Sequence, residues 1–191
     1  MRWLHIYLSM LGLAVTLFFA VTGLTLNHPQ WFHTERRIEA EGTIEGRWLT
    51  PRPGADGATD DVARLEIVEH LRASQGFRGA LADFRVDDRE CSVTFKGPGY
   101  SADAFIDRET GRYTGSQTIH GLVAVLNDLH KGRDTGPAWS WLIDVSAVVL
   151  VVISLTGLIL LFYLKLRRRP GLVVALVGLI LSVAVAYLWV P

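Results

Sequence analysis

The sequence predicts an α-helical membrane protein, with three transmembrane helices and a small α+β domain inserted between helices 1 and 2. Three observations predict it. Leu4 to Leu26, Trp139 to Leu164 and Leu172 to Val190 are almost free of charge, and each is close to the ~20 residues that cross a hydrocarbon core. Nearly all the charge falls between the first two runs, from His28 to Ala138. Inside that polar segment a helical apolar period is followed by short alternating runs, the pattern of one helix packed over an antiparallel sheet. The expected limits are 4–27 for the first span, 28–116 for the inserted domain, 117–131 for an amphipathic interfacial helix, and 139–164 and 171–190 for the second and third spans.

The charges orient the chain. Of 19 Lys and Arg, 14 lie in the polar segment, and the others are Arg2, Lys165, Arg167, Arg168 and Arg169. Those five flank the spans at the amino terminus and between the second and third runs, which places both in the cytoplasm and the polar segment outside. Of 19 acids only Asp144 lies in a span, so the polar segment is net negative and offers no footprint for nucleic acid. Cys91 is the single cysteine, which excludes an internal disulfide and a CxxCH haem attachment.

The first run has a short basic start, but it is too long for a signal peptide and no A-x-A precedes its end, so it reads as an uncleaved anchor. His5, Ser9, Gly12, Thr16, Ala20, Gly23 and Asn27 recur every three or four residues along it. Small and hydroxylated residues on one face let another helix approach, so this face should meet protein. Pro29 ends the span and leaves His28 at the outer rim, followed by the interfacial aromatics Trp31 and Phe32.

From Thr34 to Gly57 the composition is loop-like, with Pro51, Pro53, Gly54 and Gly57. DGAT at Asp56 to Thr59 has a faint likeness to covalent flavin-phosphate sites, yet lacks the upstream acid and the extra hydroxyl residue, so covalent flavin is not expected. Thr59 or Asp60 should cap a helix whose Val62, Leu65, Val68 and Leu71 share one side and which Gly76 stops. ALADFRVD, CSVTFKG and SADAFID then read as strands, separated by turns at Gly97 to Gly99 and Asp107 to Gly111.

The segment from Ile119 to Phe162 joins a surface helix to the second span through Gly136 and Pro137. His130 follows Leu126 by four residues and Val123 by seven, which puts it on the apolar stripe, whereas His120 lies on the row of Ala124 and Asn127 at the stripe's edge. An imidazole on that face needs a hydrogen bond or a metal. In the third span Gly178, Ser182 and Ala186 form a small-residue seam, and Tyr187 and Trp189 mark the outer interface.

Taken in order, His5 near the start of a span that ends TGLTLNHP, a helix-plus-strands unit closed by AFIDRETGRY, and DLHKGR leading into a span with LTGL resemble the small PepSY-associated transmembrane helix proteins of bacteria. The resemblance covers essentially the whole chain. It implies a PepSY-like periplasmic domain, a bacterial inner-membrane location and, from larger relatives, b-type haem held by histidines for reductive electron transfer, including release of iron from siderophores. It also implies a module first proposed to inhibit or bind peptidases.

Under that resemblance His28 and His130 are the first candidates for haem iron, since one ends the first span and the other precedes the second. His33 and His120 are substitutes, and Asn27, Asp128 and Asp144 are candidates to bond the far ring nitrogens. His5 is the only histidine at the cytoplasmic end, so one chain has no second imidazole there and a homo-oligomer could complete the pair. The alternative is a non-catalytic anchored module that binds a periplasmic peptide or protein, its histidines acting as interfacial hydrogen-bonders. There is no HExxH, Gly-x-Ser-x-Gly or phosphate loop to indicate an enzyme.

Overall fold

The computed structural model describes residues 2–32, 34–50, 52–53, 59–60 and 62–190; His33 and most of the DGAT stretch lie outside the described residues. In chain order the elements are α1 (Arg2–Asn27), β1 (Glu35–Thr43), β2 (Arg52–Pro53), β3 (Thr59–Asp60), α2 (Arg64–Gln75), β4 (Ala80–Val86), β5 (Glu90–Gly97), β6 (Tyr100–Asp107), β7 (Arg112–His120), α3 (Leu122–Lys131), α4 (Pro137–Tyr163) and α5 (Arg168–Trp189). Two compact units result: one holds the residues up to Phe18 and from Leu142 onward, the other Phe19–Trp141.

In the first unit, α1, α4 and α5 are each long and apolar enough to cross a membrane. The small-residue face of α1 meets α4, as its spacing requires. A Cβ at Gly12 would stand 2.7 Å from Ile153 Cδ1, so the glycine is what lets the two helices close. Among the described residues the seam expected on α5 meets no other helix: nothing lies within 4 Å of a Cβ built at Gly178, and Ser182 and Ala186 are exposed. Small residues specify close approach but not which neighbour approaches, and here α5 touches α4 at Gly171 and Leu161 instead.

In the second unit five antiparallel strands run in the order β1-β7-β6-β5-β4. Alternation sends Cys91, Val93 and Phe95 of β5 and Ala102, Ala104 and Ile106 of β6 to one face, where Ile67, Val68 and Leu71 of α2 cover them. Leu65, expected on the buried side, is instead exposed, and Ile67 takes its place. Gly76 ends α2 in the left-handed conformation, as expected.

Three local expectations give way to tertiary pairing. Thr59 and Asp60 do not cap α2; they pair with Arg52 and Pro53 in a short ribbon, and Ala63 precedes the helix. The stretch after Thr34 read as loop is strand β1, an edge strand whose only buried side chain is Ala40. The helix expected over 117–131 begins at Leu122, because residues 117–120 continue β7, paired with β1 out to Glu35 opposite His120. Gln117 is buried there, donating to the Gln75 carbonyl at 2.8 Å and accepting from the Tyr100 hydroxyl at 3.0 Å. A buried polar side chain with its partners provided breaks the apolar alternation by which a strand is read.

Candidate functional site

Gly121 lets the chain leave β7, and its N–H donates to the Thr34 carbonyl at 2.9 Å. From there α3 is fastened on two sides. Toward the sheet, Asp128 Oδ2 accepts from the Gly99 N–H at 2.8 Å, and Val125 packs so closely that a Cβ at Gly99 would come within 2.5 Å of its Cγ2. Gly99 also has φ +65°, so both the turn and the contact call for glycine. Toward α1, the Thr25 hydroxyl lies 2.7 Å from Asn127 Oδ1 and 2.9 Å from the Thr22 carbonyl.

His130 lies in the last turn of α3. Its Nδ1 is 2.6 Å from the hydroxyl of Thr22, a residue only 2% exposed, and the Phe19 ring meets the imidazole edge-on at 4.9 Å. Gly23 opens the adjoining space: a Cβ there would be 3.6 Å from His130 Cε1. The apolar-stripe argument thus places His130 where it found a partner, and the partner is a buried threonine.

The first unit contains a second setting of the same kind. His5 Nδ1 is 2.9 Å from the Thr156 hydroxyl, and a Cβ on Gly157 would be 3.2 Å from His5 Cε1. The Thr156 hydroxyl also lies 2.8 and 2.9 Å from the Val152 and Ile153 carbonyls. A hydroxyl has one proton, and a carbonyl can only accept it. Thr156 therefore donates to its own helix and accepts from His5 Nδ1–H. The Thr22 hydroxyl lies 3.5 Å from the Phe19 carbonyl, a far longer reach than its 2.6 Å contact with His130 Nδ1, so which of the two holds the proton between them follows the ring tautomer. Among the described residues, no hydrogen bond engages Nε2 in either setting.

The other candidates are dispersed. His28 stacks flat on Trp31, with ring centroids 4.0 Å apart and planes 3° from parallel. His120 ends β7, not a helix, and lines a cleft with Pro29, Phe32, Thr34, Val123 and Asn127. His33 lies outside the described residues. Asp128 is not a partner of His130, because residues two apart on a helix point to different sides and its carboxylate is taken up by Gly99. Asn27 and Asp144 are exposed. Thr22 and Thr156 were not singled out by spacing, although Thr-Gly occurs in each of the first two spans at 22–23 and 156–157.

Among the described residues no three His, Cys, Asp or Glu side chains converge in a way that could hold a bare metal ion. A group that offers a metal position to a single imidazole would need a ring nitrogen left unengaged, and among the described residues His130 and His5 each leave Nε2 so.

A family model described as PepSY_TM-like matches residues 1–191. No curated protein and no solved structure matches the chain.

Proposed function

The chain belongs to the PepSY_TM-like family over its whole length, and from that premise we propose that it is a bacterial inner-membrane carrier of b-type haem. It passes electrons to or from a periplasmic partner in a reduction such as that of ferric or siderophore iron. The observation that carries the reading is the imidazole of His130, oriented through Nδ1 by Thr22 and open at Nε2. The amino terminus lies in the cytoplasm and the sheet domain, the PepSY-like unit, in the periplasm, as the five cations outside the polar segment favour.

Haem, when bound, supplies a one-electron iron couple whose potential follows its axial ligands and their surroundings. His130 would hold it through Nε2. His28 would be the first candidate for a second ligand and His120 its substitute; both belong to the same compact unit as His130. Phe19 borders the imidazole edge-on, and the Thr22 hydroxyl keeps the ring from turning.

A pyridine haemochrome assay on the full chain purified in detergent tests this. The expected result is a dithionite-reducible, low-spin b-type spectrum that His130→Gln loses. A folded preparation that is colourless and takes up no added hemin overturns the reading. It would favour an anchored peptide-binding module instead, for which the open edges at β1 and β4 offer strand-addition sites.

A further inference from the structure

The Thr-Gly steps at 22–23 and 156–157 each bring a threonine hydroxyl to Nδ1 of a histidine, and neither histidine comes from the helix that carries its threonine. Val21 to Leu24 reads VTGL and Leu155 to Leu158 reads LTGL. In each, a nearly buried threonine hydroxyl meets Nδ1, Thr22 being 2% and Thr156 6% exposed. In each, the following glycine faces the ring's Cε1 edge, with a would-be Cβ at 3.6 Å for His130 and 3.2 Å for His5. At Gly157 that distance is tight enough that alanine would press on the ring.

We propose that Thr22 and Thr156 are positioning residues that fix the Nδ1–H tautomer of His130 and His5, each Thr-Gly step being one imidazole-orienting device used twice in the chain. The chemistry is one of counting. Neutral imidazole has one N–H, and whichever nitrogen holds it leaves the other with a lone pair. A hydroxyl that gives its proton to an i−4 or i−3 carbonyl, as Thr156 does at 2.8 and 2.9 Å and as Thr22 does in this assignment toward Phe19 at 3.5 Å, has only lone pairs left to offer, so it selects the ring form with hydrogen on Nδ1. Valine at the same position fills the space but offers no lone pair, and the selection disappears. The glycine sets how close the ring comes, so that the hydroxyl reaches Nδ1 and not a carbon. Nε2 is thereby presented as the basic atom in both places, able to bind a metal centre with a vacant axial position. The outer half of this proposal rests on the haem reading for its purpose; the tautomers themselves do not depend on haem.

The test uses the full chain in detergent, free of haem, with its six histidines labelled with 15N and 13C. His5→Gln and His130→Gln identify the two signals of interest by their loss. Both should report hydrogen on Nδ1 alone. Thr22→Val should convert His130 to a mixture of tautomers and leave His5 unchanged, while Thr156→Val should do the reverse; Thr22→Ser and Thr156→Ser should restore the single form. This reciprocity separates orientation from general loss of fold, because each variant keeps one setting intact as its own control. Hydrogen on Nε2 in the parent protein, or a tautomer indifferent to valine, overturns the proposal. Hemin titration adds a separate arm. Thr22→Val should bind about tenfold more weakly than Thr22→Ser, the scale on which partners of metal-bound histidines act. Failure of the parent to bind hemin overturns the haem reading and leaves the tautomer result to decide this one.

Discussion

Asp107 carries the turn between β6 and β7 on one carboxylate oxygen. The N–H groups of Glu109 and Thr110 and the Thr110 hydroxyl all donate to its Oδ1, at 3.1, 2.7 and 2.8 Å. Those bonds favour the charged form, Thr110's N–H most of all, and hold the carboxyl below its usual range. The sign follows from linkage. A carboxyl whose folded pKa lies below its unfolded one adds stability above the unfolded value, and that contribution is lost as pH falls through the depressed folded value. Asp107→Asn should therefore be less stable than the parent at neutral pH, and the gap should narrow once the pH drops below about 4. Urea unfolding of the full chain at a series of pH values measures it; a gap that does not change with pH would remove the carboxylate from the turn's stability. This turn is legible in DRETG because Asp, Gly and a short polar run bring their own local bonding. His130 is legible for a related reason, since an imidazole on an apolar stripe advertises a missing partner. Thr22 is not. A threonine in a span satisfies its own proton on the preceding turn, and the histidine that uses its lone pair is 108 residues away.

At the scale of elements, α3 is the piece that ties the sheet to the C-terminal end of α1. Its ten residues contact the β5–β6 turn through Asp128 and Val125 and α1 through Asn127 and His130. Asp128→Ala leaves the N–H of the buried Gly99 without its acceptor, which should cost about 1–2 kcal/mol. Asp128→Asn keeps a carbonyl oxygen for the same N–H and should lose less. Thermal unfolding in detergent should rank the parent, Asn and Ala in that order, and an Ala variant as stable as the parent would mean that the turn does not hold α3. The sequence reveals α3 by its period but misplaces its start by five residues. The reason lies in β7: RYTGSQTIH has little apolar alternation, its inward positions being Tyr113 and the hydrogen-bonded Gln117. Strand β1, ERRIEAEGT, is still harder to read, because an edge strand buries one side chain and displays the rest. Strands β5 and β6 are legible because they have the ordinary alternation of a half-buried sheet, whereas in β4, the other edge strand, only Phe84 and Val86 are partly buried.

For the whole molecule, the proposed topology makes the sharpest demand, and the lone cysteine makes it testable. Cys91 is fully buried in the sheet core, and burial pushes its thiol up, so little thiolate forms at neutral pH and the parent gives a quiet background for thiol labelling. Arg89 is exposed in the sheet unit, and Leu166 is 94% exposed between α4 and α5. If Lys165 to Arg169 hold their connection in the cytoplasm, a membrane-impermeant maleimide should label Arg89→Cys in intact spheroplasts and reach Leu166→Cys only after permeabilisation. The opposite pattern would invert the chain, put the sheet domain in the cytoplasm and withdraw any periplasmic reduction with it. Equal labelling of both before permeabilisation would place the α4–α5 connection on the same side as the sheet, which an odd number of crossings between them forbids. Three spans were legible from length and charge because the bilayer imposes both on every residue that crosses it. The pairing of His5 with Thr156 and His130 with Thr22 was not, because it depends on which helices meet, and composition says only that they can.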